Sequence, residues 1–132
     1  MPNITPAPEA IQALLADSPN EPVVMLNLLK FKAKADGDAG TGADAYGRYG
    51  EAVIKMVEAL GGRLLWSGRV AQVLIGDEAD NWDAVAIMQY PNAKAFLEMA
   101  TSAEYQKIHH DREAGLESTV LIACRSAASF TK

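Results

Sequence analysis

PVVMLNLLKFK, residues Pro22 to Lys32, reads as a β-strand with two apolar faces. Alternate positions place Val23, Met25, Leu29 and Phe31 on one side and Val24, Leu26 and Leu28 on the other. A strand apolar on one face can lie on a half-solvated sheet, whereas this one has to be covered twice. Asn27 interrupts the side shared by Met25 and Leu29, and a buried amide there needs hydrogen-bond partners. The last apolar stretch, TVLIACR from Thr119 to Arg125, repeats the arrangement, with Leu121 and Ala123 opposite Val120, Ile122 and Cys124.

Between these strands, Tyr46, Tyr49, Val53, Met56 and Leu60 recur at helical spacing between Asp44, read as the N-cap, and the Gly61-Gly62 stop. RLLWSGRVAQVLIG, from Arg63 to Gly76, is extended, with Gly68 marking a bulge or bend; one bent strand and a tight hairpin both fit. Trp82 to Tyr90 is a further strand, closed by Pro91. Asn92 caps a short helix carrying Ala93, Phe96, Leu97 and Ala100, and the Thr101-Glu104 spacing starts another that runs to about Gly115. Ahead of everything, Pro8 to Asp17 forms a short leading helix with Ile11, Leu14 and Leu15.

The order is a helix followed by β-α-β-β-α-β, an α+β ferredoxin-like pattern with a four-stranded antiparallel sheet and its helices across one face. The uncovered apolar face predicts a homodimer packed sheet against sheet, since exposed apolar area forfeits roughly 25 cal/mol per Å². The leading helix, with three apolar residues, is a smaller rival cover. Residues 1–21 then form an N-terminal extension, 22–126 the domain and 127–132 a C-terminal tail.

Composition narrows the function classes. With 49% apolar and 22% charged residues in 132, the chain is neither disordered nor collagen-like. A net charge of −5 disfavours nucleic acid as a partner. MPNITPAPEA has neither a basic n-region nor an apolar h-region, which predicts a cytoplasmic protein without a membrane partner. The single cysteine, Cys124, excludes an intrachain disulfide and cysteine metal clusters. DGDAGTGAD, from Asp36 to Asp44, lacks a P-loop ending and puts Gly47 where a calcium loop needs glutamate, so it reads as a flexible loop and candidate lid.

The chemistry-bearing candidates cluster late in the chain. At about 100° per residue, Tyr105, Ile108, His109, Arg112 and Leu116 share one helix side, and His110 turns away. His109 is the candidate general base or acid, and Arg112 the candidate holder of a carboxylate or enolate oxygen. The competing reading is that both cations simply complement the C-terminal end of the helix dipole. Asn27 is either a candidate pocket donor or an amide bridging to a neighbouring backbone group, Tyr49 a ring with a hydroxyl for the cavity, and Trp66 either a stacking wall or an interface residue. His109 or His110 paired with Glu113 lacks a third ligand, so neither metal nor cofactor is expected.

VVMLNLLKFK, YGRYGEAV, GGRLLWSGRVAQVLIG, WDAVAIMQYPNAKAFLEM and SAEYQKIHHDREAGLES before LIAC together resemble the DUF1330 family of the dimeric α+β barrel superfamily, from about Pro22 to Cys124. The resemblance implies two ferredoxin-like subunits whose sheets meet in a barrel, each with a pocket between sheet and helices. The wider superfamily uses such pockets for cofactor-independent oxygenation, lactone isomerisation, and haem binding and degradation. The expectation is a dimer binding a compact organic acid or aromatic metabolite. In its enzymatic form His109 moves a proton while Arg112 and Asn27 stabilise an oxyanion. The alternatives are a non-catalytic dimeric binding or interaction protein and haem binding through His109 or His110.

Overall fold

Residues 5–17, 20–37 and 40–125 are described by a computed structural model. The expected tail at 127–132 and the middle of the glycine-rich loop, 38–39, lie outside the described residues. Helix α1 spans Pro8–Ala16, β1 Val23–Phe31, α2 Gly42–Ala59, β2 Arg63–Arg69, β3 Ala84–Tyr90, α3 Ala93–Ala100, α4 Ala103–Gly115 and β4 Leu116–Cys124. The strands form one antiparallel sheet in the order β2-β3-β1-β4, the ferredoxin-like arrangement.

The register sorts the side chains into rows across the sheet. Leu64, Met88, Met25 and Ala123 form one row, and Ser67, Ala86, Asn27 and Leu121 the next. These rows lie under the helices, where Val23, Met25, Tyr49, Val53, Val57, Met88, Tyr90, Met99 and Tyr105 make the core. The opposite face carries the row Trp66, Ile87, Leu26 and Ile122, and its outer members stay open, Trp66 56% and Ile122 44% exposed. Helix α1 does not cover that face. It lies on the helical side, where Leu14 packs against the core, and it contacts α3.

Several local expectations are corrected. Thr41, not Asp44, is the N-cap of α2: its hydroxyl accepts from Asp44 N–H while the Asp44 carboxylate accepts from Thr41 N–H, a reciprocal capping box. Ser102, not Thr101, caps α4 by accepting from Tyr105 N–H, because Thr101 already ends α3. Asn92 caps α3 as expected. In β2 the extra residue sits between Leu64 and Trp66 and not at Gly68. Gly68 has a different purpose: the Trp66 ring lies over it, and a Cβ would come within 2.7 Å of that ring.

Neither one bent strand nor a hairpin describes the stretch after Arg69. The Val70 N–H bonds to the Asp83 carbonyl at 2.9 Å, and β3 begins only at Ala84, so no strand is left to pair with 71–76. Leu74 and Ile75 end up 84% and 98% exposed.

The glycine-rich loop is anchored, and none of its described residues reaches the cavity presented below. Ala35 is buried, Asp36 N–H donates to the Ala114 carbonyl, and Gly42 N–H donates to the Lys32 carbonyl. Lys32 N–H in turn donates to the Gly115 carbonyl at 2.8 Å, so the end of β1, the start of α2 and the end of α4 meet backbone to backbone. A Cβ on Gly42 would run into the Lys32 carbonyl and stand 2.6 Å from the Gly115 oxygen. We expect G42A to lower the unfolding free energy by about 2–3 kcal/mol through overpacking against backbone. G47A, where a Cβ meets nothing, should raise it by about 0.5–1 kcal/mol through helix propensity. Denaturant titration of both variants checks the pair.

Candidate functional site

A cavity of about 250 Å³ opens between the inner face of the sheet and the helices. Asn27, Ala86 and Leu121, neighbours in one row, form part of its floor with Met25 and Met88. Tyr46 and Tyr49 come from α2, Phe96 and Met99 from α3, and Thr5, Pro6 and Ile11 from the leading segment. Helix α4 contributes Tyr105, His109 and Arg112, at helical positions i, i+4 and i+7. All four tyrosines of the chain line this one space, and its described lining holds no Asp or Glu.

Of the five residues singled out from sequence, the structure brings four together: Asn27, Tyr49, His109 and Arg112 line the cavity. Trp66 is not among them, because its strand position faces the other side of the sheet. His110 points outward, its side chain 73% exposed, as the helical count requires. Tyr105 is the functional candidate the sequence reading passed over. Its only signal there was the shared helix side with His109 and Arg112.

Asn27 takes the second of its two expected roles, that of an amide bridging to backbone. Its Nδ2 donates to the Ala86 carbonyl at 3.1 Å and to the Met25 carbonyl at 3.3 Å. Both amide hydrogens are thereby committed to backbone, and the group left for a ligand is the acceptor Oδ1. An oxyanion cannot be stabilised from there.

Arg112 is the one buried charged residue among those described, 7% exposed. Its positive charge acts on the phenols around it. Burial pushes the Tyr46 hydroxyl up to about 12 and the Tyr49 hydroxyl well above its ordinary value, while Arg112 pulls both back. Tyr90 is raised as well, again by burial.

His109 has its pKa lowered, mainly by burial and then by Arg112 and His110, against the opposing pull of Glu113. Its Nε2 lies 3.5 Å from Glu113 Oε1, and its Nδ1 is buried without a hydrogen-bond partner. In the neutral ring, a proton placed on Nε2 by that carboxylate leaves the lone pair on Nδ1. The result is an uncharged base beside the cavity. Among the described residues no three His, Cys, Asp or Glu side chains gather into a metal site.

We expect the His109 imidazole to titrate below 6.5 by NMR, and E113Q to lower it further by removing the one influence that raises it. Because the unfolded state then takes up the proton first, stability is full above 6.5 and falls as pH drops through the folded-state pKa. H109Q should flatten that part of the stability profile.

Known proteins set this geometry in context. The model of DUF1330, a domain of unknown function, matches residues 40–124, so β1 lies ahead of the matched stretch. The solved structure of RPA0582, a protein of unknown function from Rhodopseudomonas palustris, is 33% identical; the match covers 98% of this chain and 100% of that one with a TM-score of 0.88. A hydroxynitrile lyase from Passiflora edulis is similar in fold at 12% identity, over 85% of this chain and 99% of that one, with a TM-score of 0.61. So is a dimeric ferredoxin-like protein of unknown function from Jannaschia sp. CCS1, at 10% identity, 80% and 99% coverage and a TM-score of 0.54. No curated protein matches the chain. No helix among the described residues is long and apolar enough to cross a membrane. The sheet order, the match along residues 40–124 and the likeness to RPA0582 agree that the chain belongs to the DUF1330 family.

Proposed function

We propose that the protein binds a compact, monoanionic organic acid, with an unsaturated or aromatic skeleton, in the cavity between sheet and helices. The observation that carries this reading is a buried guanidinium, Arg112, on a wall whose described lining is mostly aromatic or aliphatic and contains no Asp or Glu. Such a wall favours an anionic group at one end and a flat apolar body along the rest. The volume of about 250 Å³ fits a ligand of roughly eight non-hydrogen atoms, at about 30 Å³ for each water-sized unit. A porphyrin exceeds that volume and His110 faces solvent, which favours the organic acid over a haem.

His109 gives the site a base. An imidazole kept neutral by burial, with its free lone pair on Nδ1, can take a proton from carbon or oxygen of a bound acid without a metal. The enzymatic reading therefore makes His109 the proton acceptor and Arg112 the anchor. The binding-only reading keeps Arg112 and gives His109 a packing role against Tyr105, whose ring centroid lies 5.5 Å away.

The second part of the proposal is assembly. The outer row Trp66, Ile87, Leu26 and Ile122 is an apolar face that a second copy covers by sheet-to-sheet packing. The likeness to a dimeric protein of the same fold supports a two-fold arrangement.

Benzoate is a suitable probe of the cavity. Isothermal titration should show binding to the wild type and at least tenfold weaker binding to R112Q, matching the roughly 1.5–3 kcal/mol of a charge-assisted hydrogen bond. Equal affinity of the two proteins, or no binding to either, overturns the acid-binding reading. For assembly, light scattering should give twice the 14.1 kDa chain mass for the wild type and the single-chain mass for I122D, which puts a carboxylate at the β4 end of the outer row. A monomeric wild type rejects the dimer.

A further inference from the structure

Tyr49 lies on α2 and Tyr105 on α4, and the packing of these helices brings two phenol oxygens to 2.8 Å in the protein interior. The rings meet edge to face, with centroids 5.9 Å apart and an interplanar angle of 84°. Both residues are at least nine-tenths buried, and both line the cavity. Neither hydroxyl makes another hydrogen bond to a described residue.

Proton counting gives the pair its meaning. Each phenol has one O–H and can also accept. In a single hydroxyl-to-hydroxyl contact one proton is used inside the pair and the other is left over. A phenol that accepts a hydrogen bond becomes a better donor through its own O–H, so the leftover proton is the stronger of the two. It has no acceptor on the protein side among the described residues, and the open space next to it is the cavity.

Resting on the acid-binding reading, we infer that Tyr49 and Tyr105 act as a two-phenol relay whose terminal O–H donates to the charged oxygen of a bound phenolate or enolate. Asn27 has no hydrogen left for that task, and the phenol pair has one. The ligand class follows from the geometry. One strong donor at one point suits an anion with a single reacting oxygen, and charge delocalised over a ring or enol is desolvated at a smaller penalty than a localised charge. Tyr46 and Phe96 offer that flat body aromatic neighbours. The relay holds a ligand's conjugate base, the species left when a proton goes to His109 Nδ1. No bond other than those to that proton forms or breaks.

The test uses 4-nitrophenol, whose anion absorbs visibly and whose ionisation near neutrality can be followed in the bound state. On the wild type its bound ionisation midpoint should fall by at least one pH unit relative to free probe, meaning that the anion binds at least tenfold tighter than the neutral phenol. Of Y49F and Y105F, the one that removes the terminal donor should return the midpoint to within a few tenths of the free value, and the other should move it part of the way. The double phenylalanine variant keeps both rings and leaves no unpaired buried hydroxyl, so it serves where a single variant fails to fold; it should show no preference for the anion. A purely structural role for the pair would weaken neutral and anionic probe alike and leave the midpoint where it was. An unchanged midpoint in the double variant, or binding of benzoate with no binding of 4-nitrophenolate, overturns the relay while the acid-binding reading stands. Binding of neither probe overturns both.

Discussion

The start of α2 and the end of α4 touch through two glycines, and the rest of the site hangs on that contact. Gly42 and Gly115 let the Lys32 backbone bond to both at once, N–H to the Gly115 carbonyl and carbonyl to the Gly42 N–H. A side chain at either glycine would occupy the space the opposing backbone fills. Once the helices are pinned there, their successive turns face each other in a fixed register. Arg48 meets Asp111 at 3.2 Å, and Tyr49 meets Tyr105. The exposed ion pair adds little energy by itself, roughly 0.2–1 kcal/mol. The backbone contact sets the distance, and the aromatic pair fills the space that the distance leaves.

The fold was legible because its signals were redundant. Two apolar faces on β1 and β4, a periodic α2 and a capped α3 each pointed to the same architecture, and an error at any one boundary did not change it. The boundaries themselves were less legible, since Thr and Asp three apart each make a plausible cap until the reciprocal bonds of Thr41 and Asp44 are seen. Gly68 was misread for a related reason. A glycine in a strand marks either a bulge or a close neighbour, and only the position of the Trp66 ring separates the two.

The site was partly legible for a different reason. Helical periodicity placed His109 and Arg112 on one side and His110 on another, which needs no tertiary knowledge. Trp66 required the register of β2, and the bulge after Leu64 decides which face its ring takes. Asn27 was placed correctly on the inner face, and its choice between pocket donor and backbone bridge is made by the Ala86 carbonyl directly across the ladder, which takes an amide hydrogen. Tyr105 could not have been paired with Tyr49 from sequence, since 56 residues separate them and it takes the packing of α2 on α4 to bring them together.

The charge state of the cavity follows from the same packing. Arg112 and His109 are three residues apart on one helix, and burial lowers the histidine's pKa in addition to the repulsion from the guanidinium. At neutral pH the described lining therefore carries one formal positive charge, on Arg112. Two protonated cations side by side would have drawn a dianion and left no base. One cation beside a neutral imidazole instead divides the work, with the guanidinium holding charge and the imidazole free to accept a proton. Tyr46, Tyr49 and Tyr90 stay protonated for the same reason, since burial raises all three. They can act as donors across the whole range in which His109 acts as an acceptor, so one low-dielectric enclosure sets both halves of the acid–base pair.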